Sequence, residues 1–127
     1  MNDSDSSESQ LPRLTSTPAG VKLGALDLIA DGKARGFVLE MKAGRFHGFI
    51  VRKQNNVFGY VDRCPHMAVP LVQKLDEYLT PDGSLVQCAW HGALFRTHDG
   101  LCLAGPCTGQ VLQAWPVTVQ SGMIVTA

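Results

Sequence analysis

No stretch of this 127-residue chain approaches the roughly eighteen consecutive apolar residues of a membrane-spanning helix, so nothing in it is expected to cross a bilayer. Neither sign of charge is in excess. Eleven Lys and Arg balance eleven Asp and Glu, which leaves no basic field to hold nucleic acid or an anionic membrane. The opening residues, MNDSDSSESQ, lack the positive and apolar regions of a signal peptide, and the expected location is the cytoplasm. There is no room for a nucleotide-binding domain beside a separate substrate domain, because the whole chain weighs 13.7 kDa. Cysteine is absent from the first half. Its four occurrences are Cys64, Cys88, Cys102 and Cys107, and in a reducing compartment they are expected as ligands or buried thiols before disulfides.

What is present describes one small β-rich domain. Apolar residues make up 45% and charged residues 17%, an ordinary balance for a chain that buries a core. Residues 1–20 carry Asp3, Asp5 and Glu8 against Arg13, and are expected to form a disordered acidic tail with an extended, proline-bearing end. Residues 21–127 form the domain. Strand-like segments fall at Val21–Ala30, Gly36–Met41, Phe46–Arg52, Val57–Val61, Ser84–Cys88, Leu101–Ala104, Val111–Val119 and Met123–Thr126. Gln54-Asn55-Asn56, Thr97–Gly100 and Gly105-Pro106 punctuate them. Leu71–Leu79 fits a turn or two of helix or an irregular segment equally well. With about eight to ten short strands and no convincing long helix, the fold class is all-β, a small antiparallel sandwich or barrel.

The chemistry lies in Cys64-Pro65-His66 and Cys88-Ala89-Trp90-His91-Gly92. Two loops each offer one sulfur and one nitrogen, and short Cys/His spacings let a tight turn aim both at one point. A single zinc ion would take all four donors. Zinc loops, however, usually pair like donors, as in C-x2-C or H-x3-5-H. A mixed C-x-H loop facing a C-x-x-H loop suits a dinuclear centre better, because each loop can reach both metals with different atoms.

These loops resemble those of Rieske-type iron–sulfur proteins. Pro70-Leu71 after His66 is similar to the family's CPHxxxPL segment, and Trp90-His91-Gly92 to its CxWHG loop. Phe95 with Gly100, then Gly105-Pro106, Leu112 and Pro116-Val117, resemble its continuation through a loop that covers the cluster. The resemblance spans roughly residues 21–127, with the cluster-binding portion at about 62–108. It implies one [2Fe–2S] cluster, with Cys64 and Cys88 on the inner iron and His66 and His91 on the outer. Neutral imidazole in place of thiolate makes the site less negative and raises its potential.

Departures from relatives refine the expectation. Respiratory Rieske proteins carry a second cysteine in each loop, and a serine and a tyrosine that donate to cluster sulfurs. Here the second cysteines are absent, Ala93 stands in the serine place and Phe95 in the tyrosine place. Without those hydroxyls the potential is expected at the low end of the Rieske range, about −150 mV. Arg96 stands where many Rieske ferredoxins have aspartate, adding positive charge near the site.

The resemblance therefore implies a soluble ferredoxin. It would carry single electrons from a flavoprotein reductase to a terminal oxygenase or similar enzyme, with no substrate-converting site of its own. The alternatives are an accessory subunit resembling the small subunit of an assimilatory nitrite reductase, and a structural zinc module. Cys102 and Cys107 are expected as buried thiols, with Cys107 close to the cluster, and His47 and His98 as surface histidines.

Overall fold

A computed structural model of the protein describes residues 13–65, 77–89 and 92–127. Ten strands lie among them. The first five are β1 (Arg13–Leu14), β2 (Lys22–Ala25), β3 (Ala34–Met41), β4 (Gly44–Lys53) and β5 (Asn56–Val61). The rest are β6 (Leu85–Gln87), β7 (Leu94–Arg96), β8 (Cys102–Ala104), β9 (Val117–Gln120) and β10 (Met123–Thr126). The only helical element among the described residues is a 3-10 turn at Leu26–Leu28. No helix there is long and apolar enough to cross a membrane.

The longest sheet forms where β-branched and aromatic residues run without proline. β4 is its centre, pairing antiparallel with β3 along Ala34–Val51 to Met41–Gly44 and with β5 along Gly48–Val61 to Lys53–Asn56. The β4–β5 turn is two residues, Gln54-Asn55, with Gln54 at φ 58° and its N–H on Asp31 Oδ1 at 2.7 Å. β1 runs parallel to β4 and occupies the part of its edge that β5 leaves open. β2, β10 and β9 form a second sheet, closed by a Ser121-Gly122 turn in which both residues have positive φ. β6, β7 and β8 form the third.

Two cores share β4, one on each face. Phe46 and Ile50 point to one side with Ile29, Val61, Trp115 and Ile124. Phe49 and Val51 point to the other with Tyr60, Tyr78, Phe95, Leu112 and all four cysteines. The first core belongs to the body of the two larger sheets, the second to the lobe carrying β6–β8. Trp115 anchors the body, its ring 4.7 Å from Phe46 and 6.0 Å from Phe37, centre to centre. Gly48 permits that approach: a Cβ there would lie 2.6 Å from both Phe46 and Trp115.

Residues 13–20, placed outside the domain by a boundary at residue 20, hydrogen-bond onto the body. Trp115 Nε1 donates to Thr17 Oγ1 at 2.9 Å, and Thr126 Oγ1 donates to Pro18 O at 2.7 Å. The extended end of the lead-in is thus part of the folded unit. The acidic segment before Arg13 lies outside the described residues.

Two expected strands are shorter than the sequence implies. Val21–Ala30 breaks at Leu26 into the 3-10 turn, and Val111–Val119 pairs regularly only from Val117. Before that it makes isolated bridges, Leu101 with Val111 and Tyr60 with Ala114, because Pro116 has no N–H to give a ladder. Of Leu71–Leu79, residues 77–79 are described and are not helical. Gln87 N donates to Tyr78 O, and Leu79 bridges Val86, so this end is an arm laid on β6. The remainder of that segment lies outside the described residues.

Candidate metal centre

The first cysteine is delivered by the end of β5. Asp62 N donates to His47 O at 3.0 Å and Arg63 N to Val61 O at 2.8 Å, bending the chain so that Cys64 enters the core at 1% exposure. The second follows β6 in a closed loop. Cys88 N donates to Ala93 O at 2.9 Å and Gly92 N to Cys88 O at 3.0 Å, and the chain leaves as β7. Cys88 is fully buried. Both cysteines belong to the same buried core. His66 and His91, with Trp90 and Met67–Leu71, lie outside the described residues.

A third segment, Gly105–Leu112, runs against both cysteine loops. Leu112 N donates to Gly100 O and Val61 N to Gln113 O, each at 2.9 Å. Gly105, at φ 104°, lies so close to the second loop that a Cβ would meet Ala93 Cα at 2.8 Å. Val111 and Gln113 line a cavity of about 240 Å³ with Arg63, Cys64 and Pro65.

A buried hydrogen bond tethers the first loop to the lobe. Tyr78 Oη donates to Asp62 Oδ2 at 3.0 Å, and the Tyr78 ring stacks on Phe49 at 4.3 Å between centres. Sequence reasoning missed both residues. The available signal was an aspartate two positions before Cys64 at the end of an apolar strand, where a carboxylate is out of place without a donor. Tyr60, also in this core, donates to Thr97 O at 2.8 Å, and burial, assisted by Asp99, pushes its phenol up to about 12.

Around the centre the charges settle locally. Arg96 binds Asp99 through both its Nε and its Nη2 within the Thr97–Gly100 turn. That contact, with the Leu101 N–H, holds the Asp99 carboxyl down at about 2, so the added charge of Arg96 is matched by a neighbour. His98 is exposed. His47 is half-buried, and its imidazole is held below its ordinary value by burial first and by Arg13 next.

Cys102 and Cys107 are both buried in the lobe core. Cys107 Sγ donates to Cys102 Sγ at 3.1 Å, and Cys102 Sγ donates to Ala104 O at 3.2 Å. Burial and the neighbouring Cys102 push the Cys107 thiol up to about 12, and Cys64 contributes to the same shift.

The donor chemistry fits an iron–sulfur group. Two soft sulfur ligands on separate loops, neither joined in a disulfide, are held in a water-poor core beside Ala93, which has no polar group to compete. A family model of the Rieske [2Fe–2S] domain matches residues 22–118. The ferredoxin component of the p-cumate 2,3-dioxygenase system of Pseudomonas putida is 34% identical over 105 residues, covering 82% of this chain and 81% of that protein. The ferredoxin of carbazole 1,9a-dioxygenase from Nocardioides aromaticivorans IC177 shares the fold, with a TM-score of 0.65 at 20% identity, covering 87% of this chain and 98% of that one. So does the Sphingomonas yanoikuyae B1 ferredoxin, with a TM-score of 0.61 at 20% identity, covering 84% and 96%. The domain that matches is one that holds a single [2Fe–2S] cluster. On its matched length and its 34% identity to the Pseudomonas putida ferredoxin component, the chain belongs to the Rieske [2Fe–2S] domain family.

Proposed function

We propose that the chain is a one-electron carrier, a Rieske-type ferredoxin that receives electrons from a flavoprotein reductase and passes them to a terminal oxygenase. The observation that carries this reading is the 34% identity, over four-fifths of both chains, to the ferredoxin component of a dioxygenase system. A [2Fe–2S] cluster, when bound, supplies reversible one-electron chemistry.

Cys64 and Cys88 would hold one iron of the cluster, and His66 and His91 the other. Residues 62–108 are the cluster-binding portion of the domain, and the cytoplasm is its compartment. Burial of both cysteines keeps water from the sulfurs. Ala93 and Phe95, both fully buried, place methyl and phenyl groups where hydroxyl donors would otherwise stand. Fewer donors to sulfur leave the more negative, reduced state less stabilised, which supports a potential near about −150 mV.

Reduced-state electron paramagnetic resonance of the native protein, with iron and sulfide analysis, tests the assignment. About two irons and two acid-labile sulfides per chain are expected, with a low average g and a red-brown colour. One zinc and no sulfide would overturn it, a midpoint above zero would overturn the low potential, and stoichiometric co-purification with a large subunit would replace the diffusing carrier with an accessory subunit.

A further inference from the structure

We propose that Cys102 and Cys107 form a reversible disulfide, a redox modification site separate from Cys64 and Cys88 that closes residues 102–107 into a ring. The sulfurs already touch at 3.1 Å, so bond formation needs an approach of about 1 Å.

The backbone holds them there. Cys102 N donates to Gln110 O, Gly109 N donates to Cys102 O, and Gln110 N donates to Cys107 O, at 2.8, 3.1 and 2.8 Å. Thr108 Oγ1 closes the inner turn on Gly105 O at 2.7 Å. Both cysteines are therefore fixed to one frame before any reaction.

Oxidation also leaves no buried polar group stranded. In the dithiol, Cys107 donates to Cys102 and Cys102 to Ala104 O. Once both thiol protons are gone, the acceptor left over belongs to Ala104, an exposed residue whose carbonyl water can serve. A metal is a poorer occupant: among the described residues no three His, Cys, Asp or Glu side chains come together as ligands.

The oxidant is a small disulfide such as glutathione disulfide. Two S–H bonds break and one S–S bond forms in the protein. The two electrons and two protons cleave the oxidant to two glutathione thiols. Residues 103–106 and 108–110 are exposed while the two cysteines are buried, so local opening of this loop admits the reagent. Gly105, inside this ring, packs closely on Ala93 of the loop that carries Cys88.

The sequence makes the test direct. No Lys or Arg follows Arg96, so trypsin leaves Cys102 and Cys107 together on residues 97–127, with Cys64 and Cys88 on two other peptides. The holoprotein is equilibrated anaerobically in glutathione and glutathione disulfide, alkylated and digested. The expected result is a 97–127 peptide two hydrogens lighter that takes up no alkylating reagent until reduced, with the visible spectrum of the cluster unchanged. Cys102→Ser and Cys107→Ser should each abolish the internal bond and leave the other thiol open to alkylation or mixed disulfide. Should either variant fold poorly, the wild-type peptide map decides alone. Both cysteines alkylated throughout, mixed disulfides only, or pairing with Cys64 or Cys88 would overturn the proposal.

Discussion

The body and the lobe of this molecule are held by different physics. β3, β4 and β5 run 8, 10 and 6 residues in continuous register, and their core is built of Trp115, Phe46 and branched aliphatic side chains. β6, β7 and β8 are three residues each, with a register shift between β7 and β8, and their core mixes aromatics with four thiols and two tyrosines. Large apolar side chains and long ladders make the body self-sufficient. The lobe leans more on a few polar tethers, Tyr78 to Asp62 and Tyr60 to Thr97 O among them. Cys64 follows the end of β5 in the body and Cys88 the end of β6 in the lobe, so the two candidate ligands sit on loops where the two regions meet, and rigidity is left to the sheets behind them.

The comparison breaks most sharply at Trp115. Trp115→Ala should destabilise the protein by about 3–5 kcal/mol, because Phe46 and Phe37 lose their partner and Gly48 has no side chain to fill the space. Urea unfolding of the variant measures it. A cost below about 1 kcal/mol would mean that the body does not rest on this ring.

Tyr78→Phe sharpens the other side. The ring stack on Phe49 is kept and one donor to the buried Asp62 is removed, for an expected loss of about 1–3 kcal/mol. The loss should be local. Amides of β6 and β7 and the Asp62 and Arg63 amides should exchange faster, while those of Phe49 to Val51 in β4 keep their protection. Equal acceleration in both regions would erase the distinction between body and lobe.

The two regions also differ in how plainly the sequence declares them. Cys64 and Cys88 stand out in the sequence because Cys/His spacing is a local property, and the β4–β5 hairpin because Gln54-Asn55-Asn56 marks its turn. Clean alternation is missing at the end of β4 for a structural reason: from Phe49 to Val51 the strand is buried on both faces, so successive side chains there are all apolar. β1 and β7 escape notice because two or three residues carry no period, and β1 is a strand only through its distant pairing with β4. The same distance hides the lobe's tethers. Asp62 and Tyr78 are sixteen residues apart, and neither announces the other. Cys102 and Cys107 are near neighbours in sequence, yet only the Gly105–Gln110 turn makes their sulfurs touch.

The smallest effect lies where the two regions meet. His47 sits on β4, lines a cavity with Arg13 and Asp62, and lends its carbonyl to the Asp62 N–H at the start of the first cysteine loop. Burial, then Arg13 and more weakly Arg45, lowers its affinity for a proton, with Asp62 opposing. The unfolded chain therefore binds a proton near pH 6.5 that the folded chain refuses, and stability rises with pH through this window. The contribution is fully present above about pH 6.5 and is lost as the pH falls below it. Solvent screens a half-exposed imidazole, so the change should stay under about 1 kcal/mol between pH 7.5 and pH 5.5. Urea midpoints at these two pH values should draw together in His47→Gln. In Arg13→Ala they should draw together only in part, since burial still acts on the ring. If His47→Gln leaves the pH dependence unchanged, the proton is taken up elsewhere and this junction is electrostatically silent.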